Sequence, residues 1–194
     1  FYDPTAGAVR AVDTDIRDVT LAAWRGSLGF VPQESHLFAG TIASNIAYGK
    51  PEATPNEVIH AARCIGALRA IAAIPGGFLA PVGEDGRGLS SGQRQLIALA
   101  RAELVKPQLM LLDEATSTLD PATEKTILSA STRLMSNRTS VIVAHRLATA
   151  AQADRILVMD GGRIVETGNH DELLARQGIY ADLWKHSVSG GSDT

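Results

Sequence analysis

Cysteine is all but absent: the 194 residues contain one, Cys64. That excludes a disulfide within the chain and a metal site built on several thiolates, and it fits a reducing compartment such as the cytosol. Also missing is any apolar run approaching the roughly 20 residues that a bilayer-spanning helix needs, and no secretory signal is present. Any membrane association must then come through a partner or through sequence outside this chain. Positive charge is not in surplus either, since 18 Lys and Arg face 21 Asp and Glu for a net charge of −3, with the two signs interleaved. Nucleic acid needs a concentrated basic face, so no nucleic-acid partner is expected. Repeats and low-complexity stretches are lacking apart from a polar tail, 187–194, expected to be disordered.

What is there is a 45% hydrophobic composition with mean hydropathy near zero, enough for a sizeable core in one domain. Three short apolar runs suit strands buried on both faces: Leu28-Gly29-Phe30-Val31, Leu109-Met110-Leu111-Leu112 and Ser140-Val141-Ile142-Val143-Ala144. Helical patterns lie near Pro55–Arg69, Gly92–Leu104 and Pro121–Met135. Alternation of strand and helix predicts a parallel sheet in an α/β domain. Between Thr41 and Leu104 there are helices and glycine turns without a convincing strand, as in a helical subdomain inserted into the α/β unit. From Ile156 to Val165 the sequence reads as two strands around the tight turn Gly161-Gly162.

Chemistry-bearing residues fall at the ends of these elements. Asp113 and Glu114 close the second apolar run, where open α/β sheets bind ligands. An Asp there can hold Mg²⁺ and a neighbouring Glu can polarise an attacking water, although an Asp-Glu pair alone is equally an ordinary solvated strand end. Leu89-Ser90-Ser91-Gly92-Gln93 precedes an apolar-periodic helix, a place for an anion on unpaired amides or for a plain cap. His145 follows the third run and can donate to a phosphate or serve the fold. Gln33, after Phe30-Val31-Pro32, can offer an amide oxygen to Mg²⁺ or water, or can be a loop residue without chemistry.

In this order these elements resemble the ABC ATPase family: a Q-loop at Val31-Pro32-Gln33, a signature at Leu89–Gln93, a Walker B strand ending in Asp113-Glu114, a D-loop at Ser117-Thr118-Leu119-Asp120 and a switch histidine, His145. The resemblance covers nearly the whole chain. It implies a partial RecA-like P-loop NTPase core with an inserted α-helical subdomain. The first core part would be 1–40, the helical subdomain 41–104, the second core part 105–186 and the tail 187–194. It implies ATP and Mg²⁺ as cofactors. Glu114 would be the catalytic carboxylate, with His145 on the γ-phosphate and Gln33 sensing Mg²⁺ and water. Asp113 would support the metal. Ser90, Ser91, Gly92 and Gln93 would reach ATP held by a second nucleotide-binding domain in a head-to-tail dimer, and Asp120 would link the two sites.

Pro81-Val82-Gly83-Glu84-Asp85-Gly86 resembles the loop by which exporters touch their membrane domains, with Pro81 where the family often has Thr. The stretch from Gly168 to Trp184 is similar to the end of an exporter, and equally suits a surface helix with an aromatic anchor. The resemblance therefore implies an ATPase driving export from the cytoplasmic face of the cell membrane, attached through transmembrane domains. Alternatives are a non-transport ABC ATPase and a noncatalytic module that completes a partner's site. One part is missing: no Gly-x-x-x-x-Gly-Lys-[Ser/Thr] occurs, and Gly49-Lys50 is followed by Pro51. Such a loop positions and neutralises the phosphates. The chain alone is thus expected to lack ATPase activity, to be a truncated fragment, and to expose apolar surface that promotes aggregation.

Overall fold

The computed structural model describes residues 3–113 and 120–189. Its contacts divide the chain into two units, Phe1–Leu112 with Ser117–Val141, and Asp113–Thr116 with Ile142–Thr194. Glu114 and the stretch Ser117-Thr118-Leu119 lie outside the described residues.

The first unit opens with a minimal hairpin, β1 (Arg10–Ala11) and β2 (Thr14–Asp15), followed by α1 (Leu21–Ser27) and β3 (Leu28–Val31). Next come β4 (Gly40–Thr41), α2 (Ile42–Ile46), α3 (Pro55–Cys64), α4 (Leu68–Ala72) and β5 (Pro81–Val82). The long helix α5 (Ser91–Val105) leads to β6 (Leu109–Asp113), α6 (Pro121–Met135) and β7 (Thr139–Val143). The expected strand at 28–31 and the helices near 92–104 and 121–135 are present within a residue or two of their anticipated bounds.

The larger sheet has the order β3-β6-β7. β3 and β6 run parallel, with Leu28 opposite Leu109 and Val31 opposite Leu112, so the chain leaves both strands at the same edge. Gly29 is required at this pairing, because a Cβ there would collide with Met110 Sδ and the Pro107 ring. The helix α5 packs against α2, α3, α6 and β3. It is therefore apolar nearly all round, with Leu96, Ile97, Leu99, Ala100 and Leu104 buried. Each such large side chain contributes about 1.5–3 kcal/mol relative to exposure.

Three expectations need correction. The pattern from Pro55 to Arg69 is not one helix: α3 stops at Cys64, and Gly66 at φ 76° turns the chain before α4. The 41–104 stretch does contain extended pairing, since Thr41 and Pro81 face each other across β4 and β5 and the Ile42 amide donates to Ala80 O at 3.1 Å. Nor is the third apolar run buried on both faces. Val141 and Val143 are 54% and 56% exposed, because β7 stands at the margin of the described sheet with one face uncovered, and Phe30 on β3 is 62% exposed.

The second unit contains α7 (Leu147–Ala150), the hairpin β8 (Ile156–Asp160) and β9 (Arg163–Gly168), then α8 (His170–Arg176) and α9 (Ile179–Ser189). The β8–β9 turn uses Gly161 and Gly162 at φ 53° and 74°, the two left-handed residues of a tight hairpin. Ile156, Val158, Leu173 and Tyr180 form its core, with Trp184 packed on them. Glu166 of β9 caps α9 by accepting from the Ile179 and Tyr180 amides at 2.6 and 3.1 Å. The helix continues to Ser189, three residues into the stretch expected to be a disordered tail.

Candidate functional site

In the second unit, Asp113 is the last residue of β6 and His145 lies two residues beyond β7. Nε2 of His145 stands 3.7 Å from Oδ1 of Asp113, with the side chains 43% and 37% exposed. Oδ1 is buried and has no hydrogen-bond partner among the described residues. A carboxylate oxygen in that position carries a desolvation penalty that a donor or a cation would offset. A hard oxygen donor with nothing satisfying it suits Mg²⁺, which takes one or two carboxylates and completes its shell with waters and phosphate oxygens. Among the described residues no three His, Cys, Asp or Glu side chains cluster as a self-contained metal cage.

In the first unit, Ser90 is the N-cap of α5 in a complete capping box. Its Oγ accepts from the Gln93 amide at 3.2 Å, and Gln93 Oε1 accepts from the Ser90 amide at 2.9 Å. Ser91 is half-buried and Gly92 fully buried at the first turn. The side chains of Ser90 and Gln93 thus serve the helix first. Asp120 likewise caps α6: its Oδ1 accepts from the Thr123 amide at 3.0 Å, and hydrogen bonds from the Thr123 side chain and backbone hold its carboxyl below the ordinary range. Gln33 is exposed in a bend two residues after β3. Gly83, Glu84, Asp85 and Gly86 form a tight turn after β5, with Asp85 at φ 55°. Glu114, the expected catalytic carboxylate, lies outside the described residues.

Sequence reasoning passed over two residues that organise this unit. Asn45, only 1% exposed, donates from Nδ2 to Phe38 O and Thr41 O at 2.8 and 3.0 Å, and its Oδ1 accepts from the Phe38 amide at 2.9 Å. Arg101, on α5, donates to Asn45 O, Asn45 Oδ1 and His36 O. Both were visible as polar residues set in apolar helical stretches, Asn45 beside Ser44 in Ile42-Ala43-Ser44-Asn45-Ile46 and Arg101 in Leu99-Ala100-Arg101-Ala102.

A parallel β3-β6 pair ending in a carboxylate, with a histidine beside it and a long buried helix opening on Ser-Ser-Gly-Gln, defines an α/β domain of the nucleotide-handling class. The chain belongs to the ABC transporter family, whose model matches residues 1–117. It is 52% identical, over 95% of its length, to a multidrug efflux ATP-binding/permease protein of Mycobacterium bovis. It is 50% identical, over 94%, to an ATP-dependent lipid A-core flippase of Thiobacillus denitrificans. A solved bacterial Atm1-family ABC exporter with ATP bound superimposes with a TM-score of 0.86 at 45% identity, over 95% of this chain. The chain spans 15% and 32% of those two relatives and 32% of the solved chain. The mixed α/β ABC ATPase fold expected from the sequence is thereby established.

Proposed function

We propose that this chain is the signature-bearing and switch-bearing portion of the ATP-hydrolysing domain of an ABC exporter, working at the cytoplasmic face of a membrane. The observation that carries this reading is the buried Oδ1 of Asp113, without a hydrogen-bond partner among the described residues, beside His145 in a chain of this family. Its named relatives are an efflux ATP-binding/permease protein and a flippase. The ATPase would be fused to transmembrane domains and paired head-to-tail with a second nucleotide-binding domain. Residues 41–104 would form the helical subdomain between two parts of the core.

In this reading Asp113 would hold Mg²⁺, and the amide oxygen of Gln33 would serve the ion and the attacking water. Mg²⁺ when bound neutralises charge that develops on the β- and γ-phosphoryl oxygens. Glu114 accepts the proton of the water that attacks the γ-phosphorus. His145 donates a hydrogen bond to a γ-phosphoryl oxygen and so stabilises charge where it grows. Ser90 and the first amides of α5, from Ser91 and Gly92, would face the nucleotide of the opposing domain, where the positive end of the helix favours phosphate, while Gln93, its amide held by Ser90 Oγ, would keep this turn in shape. Asp120, fixed as a cap, passes the state of one site to the other.

The test is nucleotide-dependent association. In a polypeptide joining this chain to a phosphate-binding loop, Glu114→Gln should slow hydrolysis and let ATP drive dimerisation in gel filtration. Ser90→Arg should abolish that dimer. Dimerisation indifferent to both ATP and Ser90→Arg would defeat the proposal.

A further inference from the structure

We propose that Arg101 is a positioning residue for nucleotide hydrolysis, one that locks the segment following Gln33 onto the helix that opens on Ser90. The inference rests on the function proposed above.

Arg101 sits on α5, eleven residues after Ser90, or about 16 Å along the helix axis. All three guanidinium nitrogens are used: Nε donates to Asn45 O at 2.8 Å, Nη2 to Asn45 Oδ1 at 3.1 Å and Nη1 to His36 O at 3.2 Å. The guanidinium carbon lies 5.8 Å from the Phe38 ring centre and 5.5 Å from that of Tyr48, and the two rings stack 4.2 Å apart. Burial lowers the pKa of Arg101, yet a guanidinium stays charged at any pH a protein tolerates. Its hydrogen-bond partners are neutral oxygens. Packing alone would be met by Met or Leu without desolvating a cation. What a fork of fixed donors adds is orientation, which neither a hydrocarbon nor the single ammonium of Lys supplies.

The segment so held is short and close in sequence to Gln33. Asn45 pins both the amide and the carbonyl of Phe38, and Arg101 pins the carbonyl of His36. Between them Leu37 is buried, and a Cβ placed on Gly86, in the turn before Ser90, would meet its Cδ1 at 3.4 Å. Gln33 lies only three residues before His36. Arg101 therefore ties the arm that carries Gln33 to the helix that carries Ser90, through His36 and Asn45.

The test uses a polypeptide carrying this chain together with a phosphate-binding loop. Arg101→Lys keeps the charge and removes the fork. Its kcat is expected to fall roughly tenfold, the factor that about 1.4 kcal/mol carries, while KM for Mg-ATP stays within about twofold. Amide hydrogen exchange at Leu37 and Phe38 should accelerate, with β8 and β9 unchanged. Methylguanidinium at non-denaturing concentration should restore kcat of Arg101→Ala saturably. If the lysine variant does not fold, Arg101→Gln is read in the same way. A residue serving only the fold would raise exchange throughout the first unit and show no saturable rescue, which would overturn the proposal. So would unchanged exchange, or faster exchange with unchanged kcat. An unaltered polypeptide that hydrolyses no ATP condemns the functional reading itself and the role of Arg101 with it, whereas an active one with an indifferent Arg101 condemns the inference alone.

Discussion

His145 Nε2 and Asp113 Oδ1 face each other at 3.7 Å, longer than a hydrogen bond, and the carboxylate oxygen is buried with no donor upon it among the described residues. In the proposed site the two groups would meet a shared ligand from different sides.

His145→Ala in an active polypeptide containing this chain should lower kcat by roughly 10²–10³-fold, the usual loss when one preorganised donor to developing charge is removed. Asp113→Asn should shift the Mg²⁺ dependence of hydrolysis to higher concentration. Steady-state turnover across a Mg²⁺ series measures both, and a His145→Ala enzyme of normal kcat would count against the assignment.

Asn45→Ala should destabilise the first unit by about 2 kcal/mol, because the part-buried Phe38 amide and carbonyl and one Arg101 nitrogen all lose a partner. Asn45→Asp should do no better, since a carboxylate cannot donate to Phe38 O or Thr41 O. Urea unfolding followed by Trp24 fluorescence reads this directly; an unchanged midpoint for Asn45→Ala would show that the network contributes nothing to stability.

Glu57 supplies a pH test. A hydrogen bond from Lys50 Nζ at 2.6 Å, and further ones from the Thr54 amide and hydroxyl, hold its carboxyl at about 2, below its ordinary 4.5. A carboxylate depressed in the folded state contributes stability above its unfolded pKa and loses it as pH falls through the folded value. The stability difference between the unaltered protein and Glu57→Gln should therefore be full above about pH 4.5 and gone near pH 2. A carbon-detected NMR titration of Glu57 with its midpoint near 4.5 would contradict this.

The chain by itself should show no Mg-ATP turnover and should aggregate on concentration. It has no phosphate-binding loop in its sequence, and Phe30, Val141 and Val143 present apolar surface on β3 and β7. A monomeric, cooperative unfolding transition in light scattering and calorimetry would refute the second half of this expectation.

Legibility in the sequence followed the range of the forces involved. β3, α5 and α6 were readable because strand runs and helix caps are local: Ser90 with Gln93 and Asp120 with Pro121 mark helix starts by spacing alone. The break at Gly66 was missed because the apolar period runs on through it, while the left-handed turn is written in one residue. The exposure of Val141 and Val143 was missed because a run of β-branched residues looks the same whether one face is covered or both. Arg101 and Asn45 meet across 56 residues, and no local pattern encodes that meeting. For the candidate site, the sequence marked Asp113 and His145 as strand-end residues; their approach to 3.7 Å is a tertiary fact.

The most direct measurement is Mg-ATP hydrolysis by a purified polypeptide that joins this chain to a phosphate-binding loop, compared with its Glu114→Gln variant. Measurable turnover in the first and its loss in the second is the result expected of an ABC ATPase with Glu114 as its catalytic carboxylate. No turnover in the unaltered polypeptide, or turnover indifferent to Glu114→Gln, would contradict it.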